Sequence, residues 1–160
     1  MSVAFTREDS AQTATEVELP DRPISPHPNL VTPAGVEALN QAMAAARQAF
    51  EASQLIEDIN ERRHAAAPAI RDIRYLTERL RSAQIIAMTA KADVVAFGHS
   101  VTFERDDGRQ QTFAIVGEDE ADPHKGSISY VSPMARALIG KAVGDAANVA
   151  GHEIEILAIG

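Results

Sequence analysis

The sequence predicts an α+β chain in which an N-terminal antiparallel coiled-coil hairpin is followed by a small antiparallel β-sheet domain carrying one short helix. Three features lead to this. Apolar residues recur at three- and four-residue steps between Val36 and Ala83. The pattern then changes to alternation after Asp93. Ahead of both, Pro20, Pro23, Pro26 and Pro28 crowd a polar, acidic segment that cannot bury enough apolar surface to fold alone. The expected organisation is a disordered tail over residues 1–31, a hairpin over 32–91 and a sheet domain over 92–160.

Thr32-Pro33 is a helix start, with a hydroxyl to cap the first turn and a ring already at helical φ. Val36, Leu39, Met43, Ala46 and Phe50 form the apolar stripe of the first helix. Ala66, Ile70, Ile73, Leu80 and Ala83 repeat it in the second. Two such helices joined by a short turn make an antiparallel pair. Pro68 interrupts the second stripe, so that helix is either kinked there or begins near Ala67, with a broad tip from 58 to 66.

In the C-terminal half, Ser100–Glu104 and Gln111–Val116 alternate about the hairpin signal Asp107-Gly108. Ile128–Val131 and Ile154–Ile159 read as further strands. Ser132-Pro133 opens a short helix over Met134–Ile139, which Gly140 stops.

The composition excludes several classes. The chain of 160 residues has no Cys and no Trp, which removes disulfides, thiolate zinc sites and a Cys nucleophile, and implies a small core. No apolar run reaches the roughly 18–20 residues that span a bilayer, and the N-terminus has no signal-peptide pattern, so a cytoplasmic protein without a membrane partner is expected. A formal net charge of −8 argues against free-standing nonspecific duplex binding. The acidic run 118–122 lacks the ligand spacing and glycine of a calcium loop. Ser132 lacks a nucleophile elbow and reads as a helix cap. The five His show no metal-ligand spacing.

Three stretches carry a resemblance: Phe97-Gly98, the run IVGEDEAD at 115–122, and ISYVSPMARALIGK at 128–141. Together they resemble the GreA/GreB family of transcription elongation factors. Arg74–Thr77 and Ala83–Ile86 extend the likeness into the second helix, and it covers about Val31 to Gly160.

The resemblance implies a coiled-coil hairpin and an FKBP-like C-terminal domain. It implies a monomeric accessory factor, not an enzyme itself. Its partners would be RNA polymerase and the nascent RNA of a backtracked complex. The C-terminal domain would dock at the rim of the secondary channel, through Asp119, Glu120, Asp122, Ser132, Pro133 and Arg136. The hairpin would enter the channel and present an Asp-x-x-Glu tip to the Mg²⁺ of the polymerase active centre, stimulating cleavage of the RNA.

Two placements of that motif compete. A gapless count back from Ala83-Gln84 puts Ala52 and Leu55 where the acids belong. A hairpin shortened by about two heptads, shared between its arms, keeps both stripes in phase and puts Asp58 and Glu61 there; this is the preferred placement. The arms are then about 10 Å shorter each. Arg62-Arg-His-Ala65 replaces the family's usual continuation. On the residues alone, Asp58 and Glu61 also read as a solvated helix start. Arg62, Arg63, Arg71 and Arg74, with Arg79 and Arg81 beyond, concentrate cations on the second helix. They suit either RNA phosphates or a solvated flank. Two alternatives remain: a secondary-channel regulator without cleavage activity, and a proline isomerase argued from fold analogy alone.

Overall fold

The structure, a computed structural model, describes residues 18–87 and 92–160. Its elements in chain order are β1 (Leu30–Val31), α1 (Pro33–Gln54), α2 (Ile59–Ser82), β2 (Gln84–Ile85), β3 (Ser100–Arg105), β4 (Gln110–Val116), β5 (Ser127–Ser129), α3 (Pro133–Leu138), β6 (Ala146–Val149) and β7 (His152–Ile159). The described residues divide into two units: 18–24 with 39–81, and 25–38 with 82–87 and 92–160.

In the first unit, α1 and α2 are joined by the four residues between Gln54 and Ile59. Along α1 the protected positions are Leu39, Met43, Ala46, Phe50 and Ser53, which alternate steps of four and three. This is a coiled-coil stripe, and four of the five were expected. Along α2 the stripe runs through Ala66, Ala69, Ile73, Leu76 and Leu80. That corrects the reading through Ile70, whose side chain stays 36% exposed. Size misled: Ile70 is the larger apolar residue, but the three–four alternation from Ala66 selects Ala69. Arg79 also turns inward, at 2% exposure, and leaves the basic flank.

Pro68 lies inside α2, which runs unbroken from Ile59. The alternative start near Ala67 is therefore not adopted. Pro68 removes one backbone donor, that to the carbonyl four residues back, on an exposed face where water can replace it.

In the second unit a five-stranded sheet has the order β5-β4-β3-β7-β6. The β3–β4 hairpin pairs Ser100 with Ala114 through to Glu104 with Gln110. Its turn is the expected one: Gly108 takes φ 83°, which a side chain would resist. Beside it, the Arg109 backbone N–H and then its guanidinium hold the Asp107 carboxyl below its ordinary range. The sheet is not wholly antiparallel, because β4 pairs with β5 in parallel. That geometry needs a crossover, and the loop from Gly117 to Gly126, with its 3₁₀ turn at Pro123–Lys125, supplies it. Inward side chains of the strands meet Ala135 and Leu138 of α3, forming a core with Val101, Phe103, Ile115 and Ile156 fully buried.

The tail expected to extend to Val31 is corrected at its C-terminal end. Leu30 and Val31 form β1, which pairs in parallel with β2 at Gln84 and Ile85. Asn29 donates through Nδ2 to Ser82 Oγ (3.2 Å), Ser25 Oγ donates to Glu118 (3.0 Å), and the Tyr130 hydroxyl donates to the Pro28 carbonyl. Residues 1–17 of the expected tail and 88–91 of the expected hairpin segment lie outside the described residues.

Gly117, in the middle of the acidic motif, exists for this attachment. A Cβ built there would sit 2.4 Å from the Leu30 carbonyl oxygen, a backbone atom that cannot swing away. Gly117→Ala is expected to force β1 off this loop and to destabilise the C-terminal unit by about 1–3 kcal/mol in chemical denaturation, the usual cost of overpacking.

Candidate functional site

The hairpin reverses direction at Leu55, Ile56, Glu57 and Asp58. Ala52 lies within α1, and Leu55, one of the positions in the competing placement, projects from the turn at 85% exposure. Asp58 is the last residue of the turn, and Glu61 lies in the first turn of α2. The reversal is thus a few residues earlier than a centre at 58–61, but both acids remain at this end of the hairpin. Both are exposed.

Asp58 has a second occupation. Its Oδ1 accepts from the backbone N–H of Asn60 (3.0 Å) and of Glu61 (2.9 Å), and its carbonyl accepts from Arg62 N (2.9 Å). It is the N-cap of α2, satisfying donors that the helix cannot pair itself. Its Oδ2 takes no part in these bonds, and Glu61 stands at the third helical position. The spacing that suggests a metal-directed pair is therefore also the spacing of a capping box.

Arg62 closes the turn. Its Nε donates to the Ile56 carbonyl (2.8 Å) and Nη2 donates to that of Glu57 (3.3 Å), so its guanidinium is committed to the loop. Arg63 is exposed. Arg71 Nε donates to Asp72 (3.1 Å), and Arg74 Nη1 donates to Asp21 (3.2 Å). Arg81 pairs with Glu78 at 2.5 Å, and this hydrogen bond lowers the Glu78 pKa and raises that of Arg81. Of the arginines gathered by sequence, Arg63, Arg71 and Arg74 share one cavity wall, with Arg63 exposed and Arg71 and Arg74 held in ion pairs. The segment bearing Asp21 went unrecognised because its ion pairs span some fifty residues of sequence, as in Arg74 to Asp21 at |i−j| = 53.

The docking candidates of the C-terminal unit separate into two groups. Glu120 faces inward. Its carboxylate accepts from Thr32 N (2.9 Å), from the Thr32 hydroxyl and from Gly117 N (3.2 Å). Thr32 in turn caps α1 by accepting from Gly35 N (3.0 Å). Asp122 caps the 3₁₀ turn by accepting from His124 N (3.1 Å), and Ser132 caps α3 by accepting from Ala135 N (3.2 Å). A surface role for the Glu120 carboxylate is therefore corrected: it joins the acidic loop to the root of α1. Asp119, Pro133 and Arg136 are exposed and remain candidates for an outside contact.

Among the described residues, no group of three or more His, Asp or Glu side chains is arranged to hold a metal. No described helix is long and apolar enough to cross a membrane.

Comparison with known proteins defines the class, a transcription elongation factor. The family model "Transcription elongation factor, GreA/GreB, C-term" matches residues 90–160. The transcription elongation factor GreA of Desulfovibrio desulfuricans is 36% identical over 132 residues, 72% of this chain and 80% of that protein. That of Beijerinckia indica is 36% identical over 148 residues, 79% of this chain and 94% of that protein. The transcription elongation factor GreB of Neisseria meningitidis serogroup B is 43% identical over 95 residues, 56% of this chain and 58% of that protein. The solved GreA factor homolog Gfh1 of Thermus thermophilus aligns at 25% identity and a TM-score of 0.40, over 84% of this chain and 99% of its own. The chain belongs to the GreA/GreB family.

The two roles available to Asp58 are separable. Asp58→Ala is expected to lower hairpin stability by about 1 kcal/mol through loss of the cap, whereas Asp58→Asn keeps an acceptor there and changes stability by a few tenths. Thermal unfolding followed by circular dichroism measures both.

Proposed function

We propose that this protein binds RNA polymerase as a monomer through the secondary channel and stimulates the polymerase's own cleavage of backtracked nascent RNA. The observation that carries this reading is the placement of Asp58 and Glu61, in a chain of this family, at the reversal of a two-helix hairpin. Family membership supplies the partner. The turn supplies the chemistry.

Two-metal hydrolysis of a phosphodiester needs a metal ion that polarises the phosphate and activates water. Mg²⁺ prefers hard oxygen ligands in a nearly octahedral shell and retains several waters. Asp58 Oδ2 and the Glu61 carboxylate match that demand in type. They are too few to build a site without carboxylates from another protein, in keeping with an accessory role. The capping bonds on Asp58 Oδ1 fix the direction in which Oδ2 points, so the cap helps to orient the ligand. Arg62 holds the carbonyls of the turn and limits its motion. Arg63, Arg71 and Arg74 would neutralise phosphates of the extruded RNA strand. Asp119, Pro133 and Arg136 would contact the polymerase from the C-terminal unit.

A second reading, a channel-binding regulator that leaves RNA intact, is favoured by one observation. The carboxylate that should serve the metal already serves the helix.

Transcript cleavage in stalled, backtracked complexes distinguishes the two. Addition of the protein is expected to accelerate cleavage by at least tenfold. Asp58→Asn and Glu61→Gln are expected to abolish the acceleration while retaining polymerase binding and fold. Competition with an active cleavage factor, with no shortening of the RNA at any concentration, would establish the regulator instead.

A further inference from the structure

The segment Glu18–Ile24 belongs to the hairpin unit, and its side chains meet the second helix. Asp21 Oδ1 pairs with Arg74 Nη1 at 3.2 Å. Arg22 Nη1 pairs with Asp72 Oδ1 at 3.3 Å, and the same oxygen accepts from Arg71 Nε at 3.1 Å. The Arg22 guanidinium carbon also lies 3.8 Å from the centroid of the Tyr75 ring, a cation–π arrangement. Leu19 lines a cavity of about 560 Å³ together with Phe50 and Ile70, and Arg63, Arg71 and Arg74 line it as well. This explains why Ile70, outside the coiled-coil stripe, is apolar.

We propose that Glu18–Ile24 is a displaceable strap that competes with RNA phosphates for the arginine face of α2. The inference rests on the reading that Arg63, Arg71 and Arg74 receive RNA. One contact of the strap mimics that ligand directly: Asp21 presents an anion to Arg74, while Arg22 on Asp72 and Tyr75 anchors the strap and Leu19 lines the neighbouring cavity. Pro20 and Pro23 bracket the charged pair and hold it extended. The contacts that tie the strap 18–24 to α2 are two ion pairs and a cation–π contact of side chains. Its ion pairs are exposed, with side-chain exposures of 60% and 70% for Arg74 and Asp21, and such pairs are weak and screened by salt. Arg63 is left outside these contacts and offers an incoming strand a first cation. A strand that binds there and advances toward Arg74 exchanges one anion for another. Occlusion of this kind lowers apparent affinity by the fraction of time the face is open. Weak, short or stray RNA is thereby excluded, while a strand also held by polymerase displaces the strap.

The test uses the full chain and a single-stranded RNA decanucleotide. Fluorescence anisotropy gives RNA affinity for the unaltered protein, for Asp21→Ala/Arg22→Ala and for Arg71→Ala/Arg74→Ala. The strap variant loses one charge of each sign, so any gain in affinity cannot come from net charge. NMR of the Arg22 δ-methylene protons reports the strap directly, since the Tyr75 ring shifts them upfield only when Arg22 lies over it. The expected results are a three- to tenfold tighter Kd for the strap variant, a weaker Kd for the arginine variant, and loss of the upfield shift on RNA addition. An unchanged Kd for the strap variant with weaker binding by the arginine variant overturns the strap and leaves the RNA reading standing. Unshifted δ protons in the free protein overturn the strap alone. Unchanged RNA binding by the arginine variant overturns the RNA reading, and the competition with it.

Discussion

A link of four residues between two long helices constrains most of what this protein can do. So short a link forces the second helix to run back beside the first, and it determines which residues occupy the reversal. The link would be costly without local closure, since four N–H groups at the start of α2 have no partner in their own helix. Asp58 accepts from two N–H groups near that start, and Arg62 holds two carbonyls of the turn. Structure and proposed chemistry thus draw on the same side chain. A carboxylate that caps a helix is held rigidly, and rigidity is what an accessory ligand for another protein's metal requires.

The C-terminal unit solves a related problem with a different acid. Within the acidic run, Glu120 turns inward to Thr32 and Gly117, and Asp122 caps a short turn. The negative charge that looks like a docking surface in one dimension is partly consumed in joining β1, the crossover loop and the first turn of α1. Gly117 allows the Leu30 carbonyl to approach. The motif by which the family is recognised therefore contains structural joints beside its exposed residues, Asp119, Pro133 and Arg136.

Local signals were legible where one interaction type dominates. Thr32-Pro33, Asp107-Gly108 and Ser132-Pro133 each determine a cap or turn by chemistry within four residues, and each forms as expected. The apolar stripe of α1 was legible for the same reason. The stripe of α2 was misjudged at Ile70 because that apolar side chain lies outside the coiled-coil face and lines the cavity beside Leu19. Strands β1 and β2 carry only two residues each, too few for any period to register. Strand β6 was missed because its turn to β7 uses Ala150-Gly151, with Ala150 at φ 52°, in place of the Asn-Gly or Asp-Gly that announces such a hairpin.

By itself the sequence determined the two-part α+β organisation, the family, and the candidates Asp58 and Glu61, because periodicity, caps and motif spacing are properties of nearby residues. Only the tertiary structure decided that Glu120 and Arg79 face inward, and that Asp21 and Arg22 reach the second helix. Those outcomes depend on pairings between residues far apart in the chain. Their partners are chosen by packing and by competition for hydrogen bonds, and neither is encoded in any single stretch.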